Sequence, residues 1–260
     1  MHITQISSSA NPQLKLARSL LKKRGRRKHQ QILLEGERLI SDSMSAGFSP
    51  ALFFFTPEAK LHHAALLERA ARDGARLLQL EPHLLAEISS TVTPQGFVAV
   101  VPQPQLEMGD GGLVLILDGV RDPGNLGTLL RSAAAADVDG VILMPGVTDP
   151  WSPKALRSGM GAHFRVAIRQ VTDARQALSF VSQHNLYLAD ARAALTYTEA
   201  DWRSPSALIL GGETDQSQLL EAWSDVVPVS IPMARGVESL NVAVAGSIIL
   251  FEAVRQRKKE

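Results

Sequence analysis

Short continuous apolar runs recur along this chain, separated by stretches in which apolar side chains return every three or four positions. Runs of four to six apolar residues suit strands covered on both faces, and the longer period suits amphipathic helices. In the first hundred residues Asn11-Pro12 signals a helix start, and a helix follows to about Lys22. Residues 22–29 (KKRGRRKH) read as a basic turn interrupted by Gly25. Residues 32–47 (ILLEGERLISDSMSAG) read as a helix closed by Gly47. A strand at 51–55, a helix at 58–72, a strand at 76–80, a short helix at 82–89 and a strand at 96–101 follow.

The second half is more regular. Strands are expected at 113–117, 141–144, 164–168, 186–189 and 207–210, with helices at 126–137, from Ser152-Pro153 to about Gly159, and near 173–184. A last strand ends at Ile231, where Pro232 forbids a ladder hydrogen bond. After a loop with Gly236, residues 240–251 are apolar or small on every side, the pattern of a deeply buried helix. That run is too short to span a membrane. Apolar strands alternating with helices imply a parallel sheet with both faces covered. The fold class expected is α/β: a parallel-sheet domain preceded by a smaller α/β domain. Residues 102–112 (PQPQLEMGDGG) hold little that could be buried and mark the junction. Domains are therefore expected at 1–101 and 113–260, joined by 102–112.

Composition adds two constraints. The chain has no cysteine, so disulfides and thiolate metal sites are excluded. The first residues lack the apolar stretch of a signal peptide, and a cytoplasmic location is expected. The formal charge of +1 conceals an uneven distribution. Eight bases and no acid fall within residues 1–31, leaving nineteen bases against twenty-six acids beyond them. Lys22, Lys23, Arg24, Arg26, Arg27 and Lys28 form its densest part and are expected to grip a polyanion such as RNA.

Three loops follow predicted parallel strands, where open α/β sheets place ligands. The first runs from Asp118 through Pro123-Gly124-Asn125 to Arg131, with Asn125 expected as an N-cap and Arg131 inside the first two helical turns. The second is Leu210-Gly211-Gly212-Glu213, whose glycines let backbone approach a ligand. In the third, Ile231-Pro232-Met233 precedes Ser239-Leu240-Asn241-Val242. Locally, Ser239 reads as an N-cap and Asn241 as a first-turn residue.

Together these motifs resemble the SpoU (TrmH-like) branch of the SPOUT RNA methyltransferases over roughly 113–257. The matching residues are Asn125, Gly127 and Arg131, then Gly211 and Glu213, then Ile231-Pro232-Met233 and Ser239-Leu240-Asn241-Val242. Arg157-Ser158-Gly159-Met160-Gly161-Ala162 fits the family's middle segment. The first half resembles a ribosomal-protein-like RNA-binding domain through Asn11-Pro12, the basic turn, Leu34-Glu35-Gly36-Glu37-Arg38 and Thr93-Pro94-Gln95-Gly96-Phe97. One departure is clear: the family's second motif continues with glycines, whereas this chain reads Glu213-Thr214-Asp215-Gln216.

The resemblance implies S-adenosylmethionine as methyl donor, a ribose 2′-hydroxyl as acceptor, a C-terminal trefoil knot and a homodimer; neither a metal nor a membrane is expected as a partner. It implies that Leu210, Gly211, Gly212, Ile231, Met233 and Leu240 hold the cofactor. Asn125, Arg131, Glu213, Ser239 and Asn241 would line the reacting side. Because a guanidinium is a poor base, Arg131 is expected to clamp an RNA phosphate instead. The added N-terminal domain favours rRNA over tRNA as substrate, with a non-catalytic RNA-binding protein as the alternative. An oxidoreductase is disfavoured because no G-x-G-x-x-G follows a strand.

Overall fold

In the computed structural model, which describes residues 2–91, 93–110, 112–211, 223 and 225–258, the chain forms two units: residues up to 104 with 149–164, and residues 105–148 with 165 onward.

In the first unit the elements run β1 (Ile3–Ile6), α1 (Pro12–Leu20), α2 (Lys23–His29), β2 (Gln31–Glu35), α3 (Glu37–Ser45), β3 (Leu52–Phe55), α4 (Pro57–His62), α5 (Ala64–Arg72), β4 (Arg76–Leu80), α6 (Pro82–Ala86) and β5 (Phe97–Pro102). The sheet order is β1-β4-β3-β5-β2, with β5 antiparallel to both neighbours. Phe53, Phe54 and Phe55 of the central β3 are all buried, so both faces are covered. Asn11 caps α1 by accepting from Gln13 N, Pro12 occupies the first turn, and Leu14, Ala17 and Leu20 bury one face. Each buried leucine contributes about 1.5–3 kcal/mol.

Two expectations fail here. The basic stretch is helix α2, not a turn, and Gly25 is what permits it: a Cβ there would lie 2.0 Å from Ser19 O. Residues 31–35 form a strand where a helix was expected. Ile32, Leu33 and Leu34 are consecutively buried, and Gly36 at φ +102° cannot continue a helix.

The segment 149–164, expected in the second domain, clusters with the first unit. Asp149 pairs with Arg26 at 2.5 Å, Trp151 packs on His163, and Phe164 packs on Phe48 with ring centroids 5.6 Å apart. Ser152 caps α8 (Pro153–Gly159) as expected. The strand expected at 164–168 is largely absent, because a 3-10 turn occupies Ala162–Phe164.

The second unit contains β6 (Leu113–Asp118), α7 (Pro123–Ala135), β7 (Gly140–Leu143), β8 (Ile168–Gln170), α9 (Ala174–Val181), β9 (Asn185–Ala189), β10 (Ser206–Gly211), β11 (Val226–Val229) and α10 (Val242–Arg257). Its sheet is parallel throughout, in the order β11-β9-β10-β6-β7-β8. Pro228 sits in β11, an edge strand, where a missing N–H is tolerated. The core strands end together: Leu210 lies beside Leu117 and Gly211 beside Asp118.

The final helix corrects the expectation of burial on all sides. Ala243, Gly246, Ile249, Leu250 and Ala253 face inward, whereas Val244 and Phe251 are about half exposed. Among the described residues no helix is long and apolar enough to cross a membrane, and no cluster of three or more potential metal ligands occurs.

Candidate active site

The site is built on the starts of α7 and α10. Asp122 caps α7: its Oδ1 accepts from Asn125 N at 2.9 Å, and Pro123 opens the helix. Asn125 is therefore in the first turn rather than at the cap, and its side chain is free to reach elsewhere. Asn241, not Ser239, caps α10, its Oδ1 accepting from Ala243 N at 2.8 Å and Val244 N at 3.4 Å. The Nδ2 of the same side chain donates to Asn125 Oδ1 at 3.1 Å.

Two turns along, Ser132 Oγ and Ser247 Oγ lie 2.7 Å apart. The two helices thus run side by side with their N-termini together. Gly246 allows this approach, since a Cβ would lie 2.5 Å from Leu210 Cδ1 and 2.6 Å from Leu129 Cδ2. Paired N-termini concentrate positive potential at this point.

A cavity of about 190 Å³ opens at the C-terminal ends of β9, β10 and β11. Leu210, Gly211, Ile231, Met233, Ser239 and Leu240 line it, joined by Val242, Ala245 and Ile249 of α10. Five of the six residues expected to hold the cofactor thus share one wall. The sixth, Gly212, and the expected catalytic Glu213 lie outside the described residues, as do Thr214, Asp215 and Gln216.

Arg131 is exposed in the third turn of α7, one turn beyond its expected place, because Pro123 starts the helix three residues early. It makes no hydrogen bond or ion pair with another described residue. Arg235 is exposed at the corner of a turn closed by Val237 N donating to Ala234 O, with Gly236 at φ +86°.

Sequence reasoning missed Ala189, Asp190 and Ala191, which also line the cavity. Asp190 N donates to Val229 O, and Asp190 Oδ1 accepts from Arg192 N at 2.9 Å. The missed signal was Asp190 directly after a predicted parallel strand, the position used to select the other loops.

Residues 112–251 match the model of the SpoU rRNA Methylase family. The chain belongs to this family. Residues 11–99 match the MRM3-like substrate binding domain. The chain is 34% identical to human mitochondrial rRNA methyltransferase 3, over 89% of its own length and 69% of that protein. It is 30% identical to RlmP of Bacillus subtilis, a 23S rRNA (guanosine(2553)-2′-O)-methyltransferase, over 95% and 98% of the two chains. Among solved structures, the SpoU methyltransferase AviRb from Streptomyces viridochromogenes, in complex with AdoMet, superposes with a TM-score of 0.84 at 26% identity, covering 96% and 99%. The AdoMet-bound rRNA methyltransferase from Sinorhizobium meliloti gives 0.80 at 25% identity, covering 97% and 98%.

In this SpoU-family chain the cavity suits an adenosyl-methionine ligand. Its side-chain walls are largely apolar, strand-end backbone groups supply polar contacts, and Asp190 and Ser239 are the polar residues among those that line it. The described wall ends at Gly211, where the chain passes into residues 212–222.

The basic helix needs one correction. Lys22, Lys23, Arg24, Arg27 and Lys28 are exposed, but Arg26 is buried, donating to Leu20 O at 2.6 Å and paired with Asp149. Arg26 holds the 149–164 segment and is not offered to a polyanion.

Proposed function

We propose that this protein is an S-adenosylmethionine-dependent methyltransferase acting on a ribose 2′-hydroxyl of rRNA. The observation that carries this is the gathering of Leu210, Gly211, Ile231, Met233 and Leu240 into one cavity next to the Asn125–Asn241 pair. The names of the relatives favour rRNA over tRNA.

The cofactor supplies a methyl group on a sulfonium. Held by Leu210, Gly211, Ile231, Met233 and Leu240, it would offer that methyl to the ribose oxygen, whose proton must be accepted nearby. Much of the catalysis available is orientation of the two reactants. Arg131 forks onto an RNA phosphate and places the ribose. The N-termini of α7 and α10 stabilise the charge developing on its oxygen, and a phosphate or Glu213 takes the proton. The exposed bases of α2 bind the RNA backbone, with affinity that falls steeply as salt rises.

The exposed Val244 and Phe251 of α10 support a second copy of the chain as the cover of that face. The family's trefoil knot and a cytoplasmic setting belong to the same proposal.

The test is incubation of the purified protein with S-adenosylmethionine carrying a labelled methyl and with rRNA from cells lacking the enzyme. Mass spectrometric mapping is expected to find the label on a ribose 2′-oxygen. No incorporation, or label on a base, overturns the proposal.

A further inference from the structure

Several segments singled out in the sequence take no part in the cofactor cavity, yet they meet in the first unit. Gly36, Glu37 and Arg38 at the start of α3, Gln95 before β5, and Arg157 and Met160 of α8 and its cap line one open groove of about 710 Å³. That volume lies within the roughly 300–1,000 Å³ of ligand sites.

The groove is built, not incidental. Glu37 N donates to Gln95 Oε1 at 3.1 Å, which fixes the amide and leaves its NH₂ free to donate. His63 is held between Phe97, with ring centroids 4.7 Å apart, and Glu37 Oε2 at 3.1 Å. The other Glu37 oxygen remains an acceptor. Arg157 is anchored through Nη1 to Ser90 Oγ at 2.6 Å, a bond that uses one of its five N–H donors. Arg38 is exposed and has no partner among the described residues.

The carboxylate of Glu35 is already satisfied. It accepts from Ser89 Oγ, Thr91 Oγ1, Ser90 N and Ser90 Oγ, so it forms part of the frame. As N-cap of α3, Gly36 offers no side chain to the first-turn N–H groups. Met160, at φ +46°, is partly exposed at the rim.

We propose that this groove holds an unpaired nucleotide of the RNA, with Arg38 and Arg157 on its phosphate and Glu37 and Gln95 on the edge of its base. Two guanidinium groups beside a helix start whose N-cap glycine has no side chain suit a phosphate. A fixed donor beside a fixed acceptor suits a base edge, and Met160 and His63 offer faces on which a base can rest. A base inside a duplex cannot enter a concave groove, so the fit is to a loop, bulge or single strand. The assignment rests on the protein being an RNA methyltransferase, and it places substrate selection in a groove that includes two residues of the 149–164 segment.

The test uses the full-length protein, a short fluorescent single-stranded RNA and the blunt duplex of the same sequence, read by anisotropy across a salt series. The wild type should prefer the single strand. Arg38→Ala should weaken binding to all sequences alike and lower the salt slope by about one. Glu37→Gln, which exchanges an acceptor for a donor, should weaken binding roughly tenfold for some bases and spare others. Calorimetric affinity for S-adenosylmethionine should be unchanged in both. Equal affinity of wild type for strand and duplex, or wild-type affinity and slope in both variants, overturns the groove. A wild type that binds the strand but takes up no S-adenosylmethionine instead overturns the methyltransferase proposal and leaves the groove standing.

Discussion

Asn241 serves two helices at once: its Oδ1 closes the first turn of α10, while its Nδ2 reaches Asn125 Oδ1 at 3.1 Å in the first turn of α7. The two roles separate by mutation. Asn241→Ser keeps a good cap but is too short to reach Asn125. Its thermal midpoint should stay near wild type while methyl transfer falls. Asn241→Ala should also lose about 1 kcal/mol of stability from the cap. Full activity in Asn241→Ser would show that the contact with Asn125 has no catalytic consequence.

Gly246 decides how closely α10 lies on α7 and β10. Alanine normally stabilises a helix by about 1 kcal/mol over glycine. Here its Cβ would meet Leu210 and Leu129 at 2.5 and 2.6 Å, and overpacking of that kind costs about 1–3 kcal/mol. Gly246→Ala should therefore unfold at lower urea and bind S-adenosylmethionine more weakly, because Leu210 lines the cavity. A more stable variant would show that the helices separate freely.

Arg131→Lys keeps the charge and loses the fork. Methyl transfer should drop about a hundredfold, the scale of one lost transition-state donor, with a smaller loss of RNA affinity. Single-turnover kinetics separate the two. A full rate with unchanged RNA binding removes the clamp from the mechanism.

Asp190 lines the cavity. Hydrogen bonds to charged groups contribute about 1.5–3 kcal/mol, so Asp190→Asn should weaken S-adenosylmethionine at least tenfold in calorimetry. Unchanged affinity would leave Asp190 with its structural roles alone, the backbone bond to Val229 and the side-chain bond to Arg192 N.

His163 gives a stability signature at acid pH. It is fully buried, and desolvation lowers its pKa from 6.5 to about 4, against the opposing effects of Pro150 O and Asp149. Between those values the unfolded chain binds a proton that the folded one excludes. The contribution of His163 is intact above pH 6.5 and declines as pH falls toward 4, by up to about 3 kcal/mol. Urea midpoints measured across that window should fall, and His163→Gln should flatten the slope. An unchanged slope would place the acid sensitivity elsewhere.

The motifs were legible because they are short, ordered and placed after apolar runs. Asn125, Gly211 and Asn241 appear in the sequence at the ends of strands or starts of helices, with Arg131, Ile231, Met233 and Ser239 in the motifs beside them, and that placement follows from periodicity and from Pro and Gly. Asp190 was legible only by its place directly after a strand, because a single carboxylate carries no motif of its own. The strand at 31–35 was misread as helix because a three-residue apolar run satisfies either period, and its pairing with β5 lies about seventy residues away.

The sequence by itself determined the parallel α/β architecture, the basic charge of residues 22–28 and the three loops that carry chemistry, since each depends on local pattern. Only the tertiary structure decided which residues act together. It withdrew Arg26 from the basic face by burying it against Asp149, and it moved 149–164 into the first unit. It also made Asn241 rather than Ser239 the cap and joined it to Asn125 across 116 positions. Such pairings depend on packing between distant segments, where one glycine such as Gly246 sets the separation of two helices, and no local pattern encodes that distance.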